Sequence, residues 1–326
     1  MGISLLKSGE AVLGFFLLKK AECKTSSNNK KYLDLTLADK TGEINGKLWE
    51  CSEEDEKNYR DHMLVKVKGV LTEWQHRLQI KIERIRPAVP EDGVQIDDFV
   101  PHAPEKSDIM YAEIWSFINK IANDDIRKIV SRIVREKEEQ LMYYPAAKDN
   151  HHAVLGGLLY HIKTMLKAGE KLAEVYTGIN KDLLFGGIIL HDLAKTEEMQ
   201  AGEVGLITDY TTEGQLLGHI IQGIKIIDEA ARKENADKEV SLLLQHMVLS
   251  HHYEPEFGSP KRPMIPEAEL LHYLDMIDAR MYDMQKVLGN TEPGAFSDRV
   301  WVLHNRKLYH NKIGIEKDEK SIRGED

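Results

Sequence analysis

The sequence predicts a multidomain α+β protein, in which a small N-terminal β-barrel precedes an all-α domain. Two observations predict this division. Apolar residues alternate with a period of two in the first ninety residues, as on half-buried strands, whereas from Asp108 onward they recur at the 3.6-residue spacing of helices. A stretch with four prolines, residues 87–107, separates the two patterns and is predicted to be a linker. The 326 residues also exceed what one hydrophobic core usually holds.

The N-terminal pattern predicts a specific barrel. Residues 31–38 alternate strictly, with Leu33, Leu35 and Leu37 on one side, and residues 43–49 alternate again after a tight turn that ends at Gly42. An apolar run over residues 11–23 comes before them, and a charged stretch after a Ser cap predicts a short helix over residues 52–60. A last strand pair is predicted over residues 63–74 and 78–85. Three strands, a helix and two strands are the order of a five-stranded OB barrel, which we place at residues 1–86.

OB barrels bind single-stranded nucleic acid by stacking bases on aromatic rings and by placing Lys and Arg along the phosphates. Suitable side chains occupy outward positions of the predicted strands, and the candidates for substrate binding are Lys47, Trp49, Lys66 and Lys68, with Tyr32 and Arg77 beside them. The alternative is that each is an ordinary solvent-facing residue. Residues 1–90 hold 16 basic and 13 acidic side chains, against 28 and 41 in the remainder. This asymmetry suits a polyanion-binding module joined to a carboxylate-bearing domain, and equally suits ordinary surface variation.

Composition excludes several classes of protein. No stretch approaches the roughly 18 uninterrupted apolar residues of a membrane span, and the first residues lack the features of a signal peptide. Cys23 and Cys51 are too few for a disulfide framework or a thiolate zinc site. A net charge of −10 argues against a generally basic nucleic-acid-binding protein. We therefore expect a cytoplasmic protein with no membrane partner.

The second domain is predicted to be helical from residue 108 to residue 310, with helices continuing through Leu308 and few strand signals. Residues 311–326 form a charged tail that we expect to be disordered. All but two of the fourteen histidines lie in this second domain or at the edge of the linker.

Histidine and aspartate recur in the helical domain at helix-length intervals. The gaps between successive members are 30, 27, 32 and 23 residues, and the members are His161, His191 with Asp192, His219, His251 with His252, and Asp275. Each can therefore come from a different helix. Imidazole and carboxylate together suit Mn²⁺, Fe²⁺, Co²⁺ or Zn²⁺. An Asp directly after a His at a helix end can bridge two ions, so the set predicts a dinuclear site for phosphate ester hydrolysis, with Asp192 as a catalytic residue.

Two further polar residues are predicted to support this site. Lys195 lies three residues beyond Asp192, on the same helical face, where its charge could neutralise a phosphate oxygen as a catalytic group. The alternative is a plain surface lysine. Asp278 lies one turn after Asp275 and is predicted to hydrogen-bond a ligand histidine from outside the ligand shell. By contrast, we interpret Thr196 to Glu198 as solvated helix surface.

Several ordered motifs resemble one known family. Three motifs of the helical domain resemble the HD-domain exonucleases of the YhaM type. They are Gly156-Gly157-Leu158-Leu159-Tyr160-His161, His191-Asp192-Leu193-Ala194-Lys195-Thr196, and the loop from His251-His252 to Gly258-Ser259-Pro260. In the N-terminal domain, Asp39-Lys40-Thr41-Gly42-Glu43-Ile44 with Leu48-Trp49 resembles the OB domain of that family. The resemblance covers roughly residues 3–310.

The resemblance implies a 3′-to-5′ exoribonuclease, usually manganese-dependent, that trims single-stranded RNA and sometimes DNA. It implies two ions, with Mn²⁺ as the first candidate and Co²⁺, Fe²⁺ or Zn²⁺ as alternatives. One ion would take His161, His191, Asp192 and Asp275, and the second His219, His251 and His252, with Asp192 bridging. The segment Pro145-Ala146-Ala147-Lys148-Asp149-Asn150-His151-His152-Ala153 also resembles that family, and His152 within it is a candidate for substrate binding.

Two residues depart from the family pattern. Ala194 stands where glycine is common, which we expect to affect helix packing only. Tyr253 stands where a glycine often follows the histidine pair. We interpret Tyr253 as a substrate-binding residue that narrows the pocket mouth or stacks on a base.

Two other functions stay open on the sequence. An HD phosphohydrolase of a small nucleotide, such as a cyclic dinucleotide, is suggested by the His-His pair with a downstream Gly-Ser-Pro, although such a protein has no evident use for an OB domain. The third interpretation is a non-catalytic single-strand-binding protein with an inactive HD domain. The presence of every expected metal ligand argues against it. Association into a homo-oligomer is also open.

Overall fold

The computed structural model describes residues 2–26, 28–74, 77–94, 98–148, 152–202 and 207–313. The chain divides between His102 and Ala103 into two compact units. The first is a β-barrel and the second is helical, which confirms the predicted fold class.

The described part of the first unit contains five strands and one short α-helix. They are β1 (Ala11–Thr25), β2 (Lys31–Asp39), β3 (Gly42–Trp49), α1 (Glu53–Asn58), β4 (Met63–Trp74) and β5 (Arg77–Pro87). The strand order β1-β2-β3-β5-β4 closes through β4 and β1, and only the β3–β5 pairing is parallel. This is the predicted OB barrel. Its core contains the three alternating leucines of β2, Leu33, Leu35 and Leu37, all at most 2% exposed.

Nine helices and a hairpin make up the described part of the second unit. The helices are α2 (Ser107–Ile118), α3 (Asp124–Glu136), α4 (Glu138–Leu141), α5 (Gly157–Val175), α6 (Lys181–Leu190), α7 (Lys195–Glu198), α8 (Thr212–Glu234), α9 (Lys238–Ser250) and α10 (Pro266–Gly289). The hairpin pairs β6 (Met199–Ala201) with β7 (Ile207–Tyr210). Every residue of α6 from Leu183 to Leu190 is buried, and α3, α5, α9 and α10 pack around it. The apolar run that ends at His191 is therefore the central helix of the unit.

The C-terminal part of this unit differs from the sequence prediction. Helix α10 ends at Gly289, and the described residues beyond it form a 3₁₀ turn at Trp301–Leu303 and isolated bridges such as Phe296 to Tyr309. The prediction of helices through Leu308 is therefore wrong. The Gly289-Asn290 and Pro293-Gly294 pairs explain the change, because both are helix breakers. Most of the predicted disordered tail, residues 314–326, lies outside the described residues.

The predicted linker, residues 87–107, contains a 3₁₀ turn at Pro90–Asp92, and α2 begins at Ser107. The hairpin β6–β7 was not predicted, because strands of three and four residues are too short to show a period. Among the helices described, we find none with the length and apolar character needed to cross a membrane.

Candidate metal centre

Five segments of the helical unit bring histidines and aspartates to one place. His161 lies within α5, His191 ends α6 and is followed by Asp192, and His219 lies within α8. The last two segments contribute His251, which ends α9, and Asp275 of α10. Because α6 is buried along its length, the residues at its end are buried too: His191 is 0% exposed and Asp192 is 2% exposed.

Asp192 lies between two pairs of histidines. Its Oδ2 is 3.4 Å from His191 Nε2 and 3.9 Å from His161 Nε2. Its Oδ1 is 3.5 Å from His219 Nε2 and 3.8 Å from His251 Nε2. The two oxygens of one carboxylate thus face two separate groups of donors. His161 Nε2 also lies 3.3 Å from Asp275 Oδ1, on the Oδ2 side.

Main-chain carbonyls fix the orientation of two of these imidazoles. His191 Nδ1 donates to the carbonyl oxygen of Ile188 at 2.8 Å, and His251 Nδ1 donates to that of Val248 at 2.7 Å. A carbonyl oxygen only accepts, so the proton of each neutral ring sits on Nδ1 and the lone pair on Nε2. Each ring therefore presents a metal-binding lone pair towards Asp192.

Carboxylates hold the other two rings. His161 Nδ1 donates to Asp278 Oδ2 at 2.7 Å, and His219 Nδ1 donates to Glu198 Oε2 at 3.1 Å. Burial raises the pKa of Asp278, but hydrogen bonds from His152 and His161 outweigh burial and lower it, so the carboxylate is ionised and accepts. Carboxylate-supported histidines of this kind are typical of metal sites.

Four buried atoms at the centre have no hydrogen-bond partner among the described residues: Asp192 Oδ1 and the Nε2 atoms of His191, His219 and His251. An unsatisfied buried polar group costs about 1–3 kcal/mol, so four together call for a ligand. Two donors bound to one ion at about 2.0–2.2 Å lie no more than about 4.4 Å apart. The distances of 3.3–3.9 Å around Asp192 and His161 meet that limit, and the residues fit a divalent metal ion.

His252 joins the Oδ1 side of the centre. One donor atom from each of Asp192, His219, His251 and His252 lies within 4.8 Å of the others. His252 Nδ1 donates to the carbonyl oxygen of Phe257 at 2.5 Å, which leaves Nε2 as its lone-pair nitrogen. The Oδ1 side can therefore offer three imidazoles.

The charges at the centre are strongly coupled. Burial raises the pKa of Asp192, but the Lys195 ammonium and His191 outweigh burial and hold it well below its usual range. Burial lowers the pKa of Lys195, but Asp192 outweighs it and the pKa is raised. Lys195 Nζ donates to Asp192 Oδ2 at 2.7 Å. Burial, with His252 and His191 nearby, lowers the pKa of His251 well below its usual range, so that ring is neutral.

A cavity of about 580 Å³ opens onto this cluster, and its lining includes Lys195, His219, His251, His252 and Asp275. Both charged and apolar side chains line it, as in ligand sites generally. The cavity therefore gives a phosphate ester access to the candidate ligands.

Two predicted substrate-binding residues lie elsewhere in the unit. His152 is 1% exposed, its Nε2 is 2.7 Å from Asp278 Oδ2, and its ring centroid is 4.0 Å from that of Tyr282. It contacts Asp278 and is not among the described residues that line the cavity. The Tyr253 ring packs at 4.8 Å from His272, and Tyr253 is not among the described residues that line the cavity.

Tyr253 has a φ of +70°. This left-handed backbone explains why glycine suits the position after the histidine pair. Ala194 has a φ of −72°, so its backbone does not require the glycine that is common there.

The four predicted substrate-binding residues of the barrel fall into two pairs. Trp49 is 44% exposed, its ring centroid is 4.8 Å from that of Tyr32, and Lys47 Nζ is 5.1 Å from the Tyr32 ring. These residues form an aromatic cluster with a cation on β2 and β3. On β4, Lys66 Nζ is 3.9 Å from Asp92 Oδ1 and Lys68 Nζ is 3.9 Å from Glu83 Oε2. The lysines of β4 therefore have acidic neighbours already.

Glu198 is a residue that sequence reasoning missed. We expected solvated surface, but its side chain is 14% exposed and accepts hydrogen bonds from both the backbone N–H and Nδ1 of His219. The interpretation as solvated surface is therefore wrong. Gly218, with φ +68° and ψ 166°, kinks α8 directly before His219 and makes this double contact possible. The pair is 21 residues apart across a hairpin, so no local pattern indicates it.

His272 was also missed. It lines the cavity, and its Nδ1 donates to the carbonyl oxygen of His251 at 2.8 Å. Its position one turn before Asp275 on the same face of α10 was the available signal.

Comparisons with known proteins match both units. Residues 19–88 match the family of the OB-fold nucleic acid binding domain, and residues 158–280 match the HD domain. The 3′-5′ exoribonuclease YhaM of Bacillus subtilis is 41% identical over 308 residues, which are 94% of this chain and 97% of that protein. The protein of the same name from Shouchella clausii is 42% identical, over 94% of this chain and 96% of that protein.

Among solved structures, the second OB-fold domain of replication protein A from Methanococcus maripaludis aligns with 27% of this chain and 92% of that chain. Its sequence identity is 21% and its TM-score is 0.23.

Proposed function

Because this chain belongs to the family of the YhaM 3′-5′ exoribonucleases, we propose that its helical unit hydrolyses single-stranded RNA from the 3′ end and releases nucleoside 5′-monophosphates. The observation that carries the proposal is the set of buried donor atoms around Asp192 that have no hydrogen-bond partner among the described residues, beside a cavity that His219 and His251 line. A metal-dependent nuclease needs such a centre, whereas a protein that only binds RNA does not.

The proposed centre holds two ions, with Mn²⁺ as the first candidate and Co²⁺, Fe²⁺ or Zn²⁺ as chemically suitable alternatives. His161, His191, Asp275 and Asp192 Oδ2 would hold one, and His219, His251, His252 and Asp192 Oδ1 would hold the other. The support is that the two oxygens of Asp192 face separate histidine pairs. Bound divalent ions supply Lewis-acid polarisation of the phosphate and make a water acidic enough to attack at neutral pH.

Lys195 has the best placement for contact with the substrate. Its side chain lines the cavity, is 13% exposed, and is held by Asp192 through a hydrogen bond of 2.7 Å. The raised pKa of Lys195 keeps it cationic at neutral pH. We assign it the role of neutralising charge on the phosphate as the bond to the leaving oxygen breaks.

Asp278 and Glu198 are positioning residues in this proposal. Each accepts from the Nδ1 atom of one histidine and so directs the opposite nitrogen towards Asp192. His152 shares Asp278 with His161, and its proposed role is to support that carboxylate.

The barrel is proposed to hold the single strand. Tyr32 and Trp49 offer stacking surface, and Lys47 beside them can contact phosphates, as can Lys66 and Lys68 on β4. Stacking of this kind does not distinguish RNA from DNA, so single-stranded DNA is a second substrate to test. We propose the cytoplasm as the place of action, and the support is that the named relatives are exoribonucleases.

The proposal is tested with a 5′-labelled single-stranded RNA in Mn²⁺, beside a circular RNA of the same sequence. We expect a ladder shortened from the 3′ end, no cleavage of the circle, and no reaction with chelator. The matched variant Asp192→Ala should give no ladder while its circular dichroism spectrum stays that of the wild type. Cleavage of the circle at a comparable rate would mean an endonuclease, and full activity of folded Asp192→Ala would contradict the proposed centre.

A further inference from the structure

Phe257 is an aromatic residue left exposed at the catalytic cavity. Its side chain is 71% exposed, and it lines the same cavity as Lys195 and His252. A single exposed apolar residue is ordinary on a protein surface. An exposed ring in the lining of a catalytic cavity is informative only if the protein holds the ring in place. The loop that carries Phe257 is held in place.

Hydrogen bonds fix the backbone of this loop to the metal centre. The carbonyl oxygen of Phe257 accepts from His252 Nδ1 at 2.5 Å, and the N–H of His252 donates to Ser259 Oγ at 3.0 Å. Ser259 is fully buried. Across the base of the loop, Arg262 forms an ion pair with Glu254 at 2.9 Å. The same residue, His252, thus offers Nε2 to the centre and holds the main chain of Phe257.

A cation and a second ring line the same cavity. Lys148 is exposed, has no carboxylate within 4.0 Å among the described residues, and its Nζ is 5.8 Å from the ring of Tyr210. Tyr210 is 38% exposed. Aromatic rings with a nearby lysine are the combination by which proteins hold single-stranded nucleic acid without reading its sequence.

We propose that Phe257 stacks on a base of one of the two 3′-terminal nucleotides of the RNA while that nucleotide occupies the cavity. This inference rests on the proposed exoribonuclease function. It assigns to Phe257 the contact that the sequence suggested for Tyr253, whose ring instead packs against His272. Because every base has a stacking face, the contact serves an enzyme that removes any nucleotide in turn.

The test compares wild type, Phe257→Ala and Phe257→Trp on three short RNAs under single-turnover conditions. One RNA is complete, one lacks the base of the terminal nucleotide, and one lacks the base of the penultimate nucleotide. Stacking on one base predicts that Phe257→Ala lowers kcat/KM on the complete RNA about fivefold to hundredfold. The loss should disappear on one of the two abasic RNAs, and Phe257→Trp should retain at least the wild-type value.

Phe296→Ala is the matched control, because Phe296 is 65% exposed in the same unit and does not line the cavity. Its kcat/KM should equal that of the wild type. An unchanged kcat/KM for Phe257→Ala, or an equal loss on all three RNAs, would overturn the inference while the wild-type ladder still supports the proposed function. A wild type that does not shorten RNA would overturn both.

Discussion

Glu198 accepts two hydrogen bonds from His219, one from its backbone N–H and one from its Nδ1, at 3.1 Å each. Burial raises the pKa of Glu198, but the bonds from His219 outweigh burial and lower it, so the carboxylate is charged at neutral pH. One side chain therefore sets both the position of His219 along α8 and the direction of its ring. Because Glu198 contacts both the backbone and the ring of His219, its substitution should affect metal binding directly.

Glu198→Ala should weaken metal binding and lower exonuclease activity by about 10- to 100-fold, because outer-shell partners of metal-ligating histidines have effects of this size. Glu198→Gln, which can still accept one hydrogen bond, should lose less. The measurements are Mn²⁺ affinity by calorimetry and kcat on single-stranded RNA. The adjacent Glu197→Ala is the control, since Glu197 pairs with Lys137 and contacts no histidine in the part of the chain that the structure describes. Equal effects of Glu197→Ala and Glu198→Ala would contradict the assigned role.

Gly218→Ala should lower the free energy of unfolding by about 1–3 kcal/mol, because φ +68° with ψ 166° lies in a region almost restricted to glycine. The strain should also pull the N–H of His219 away from Glu198 and reduce activity. Urea unfolding measures the first effect. Gly289→Ala, at the end of α10 with no atom of the described residues within 4 Å of the added methyl, should leave stability almost unchanged. A Gly218→Ala protein as stable as the wild type would show that the kink is not needed.

Trp49→Ala should raise the Kd for a long single-stranded RNA about fivefold or more, because a stacked base contributes about 1–3 kcal/mol. Cleavage of a dinucleotide, too short to need the barrel, should stay unchanged. Trp74→Ala is the control, since Trp74 is 65% exposed on the same barrel but lies at the end of β4. Lys47→Ala should reduce the salt dependence of binding. Equal losses from Trp49→Ala and Trp74→Ala would contradict the aromatic cluster on β2 and β3.

Metal binding should release a proton from His161. Burial lowers the pKa of this ring, but hydrogen bonds to Asp275 and Asp278 outweigh burial and raise the pKa to about 10 in the metal-free protein. The ring is then protonated at pH 8 and must become neutral to bind a metal ion, so affinity should rise with pH until about pH 10. Titrations at pH 8 in buffers of different ionisation enthalpy measure the protons released. We expect His161 to release about one proton when the metal ion binds. The His161→Gln protein should lack this released proton.

The barrel could be predicted from the sequence because the pattern of each strand lies within a few consecutive residues. The alternation of Leu33, Leu35 and Leu37 reports directly which side of β2 is buried, and the turn after Asp39 fixes the next strand. The apolar run of α6 likewise indicated a buried helix that ends at His191. In contrast, the hairpin β6–β7 and the end of α10 at Gly289 are formed by short segments. Segments this short show only a weak periodicity of apolar residues, so the sequence did not predict them.

The candidate site divides in the same way. His161, His191, Asp192, His219 and Asp275 are recognisable because they follow apolar helical runs at regular intervals. The partners that orient them are not, since Glu198 meets His219 only after the hairpin has formed. His152 and Tyr253 were expected at the substrate, but their rings pack against Tyr282 and His272 of α10. Whether a ring faces the cavity or a neighbouring helix depends on backbone conformation, here a positive φ at both positions.

X-ray diffraction from crystals soaked in Mn²⁺, recorded at the manganese absorption edge, tests the central claim most directly. Two anomalous peaks are expected in the helical unit, one contacted by Asp192 Oδ2 with His161 and His191, and one contacted by Asp192 Oδ1 with His219 and His251. Crystals of Asp192→Ala under the same conditions should show weaker density at both positions. A single peak, or two peaks that do not share Asp192, would contradict the carboxylate-bridged centre.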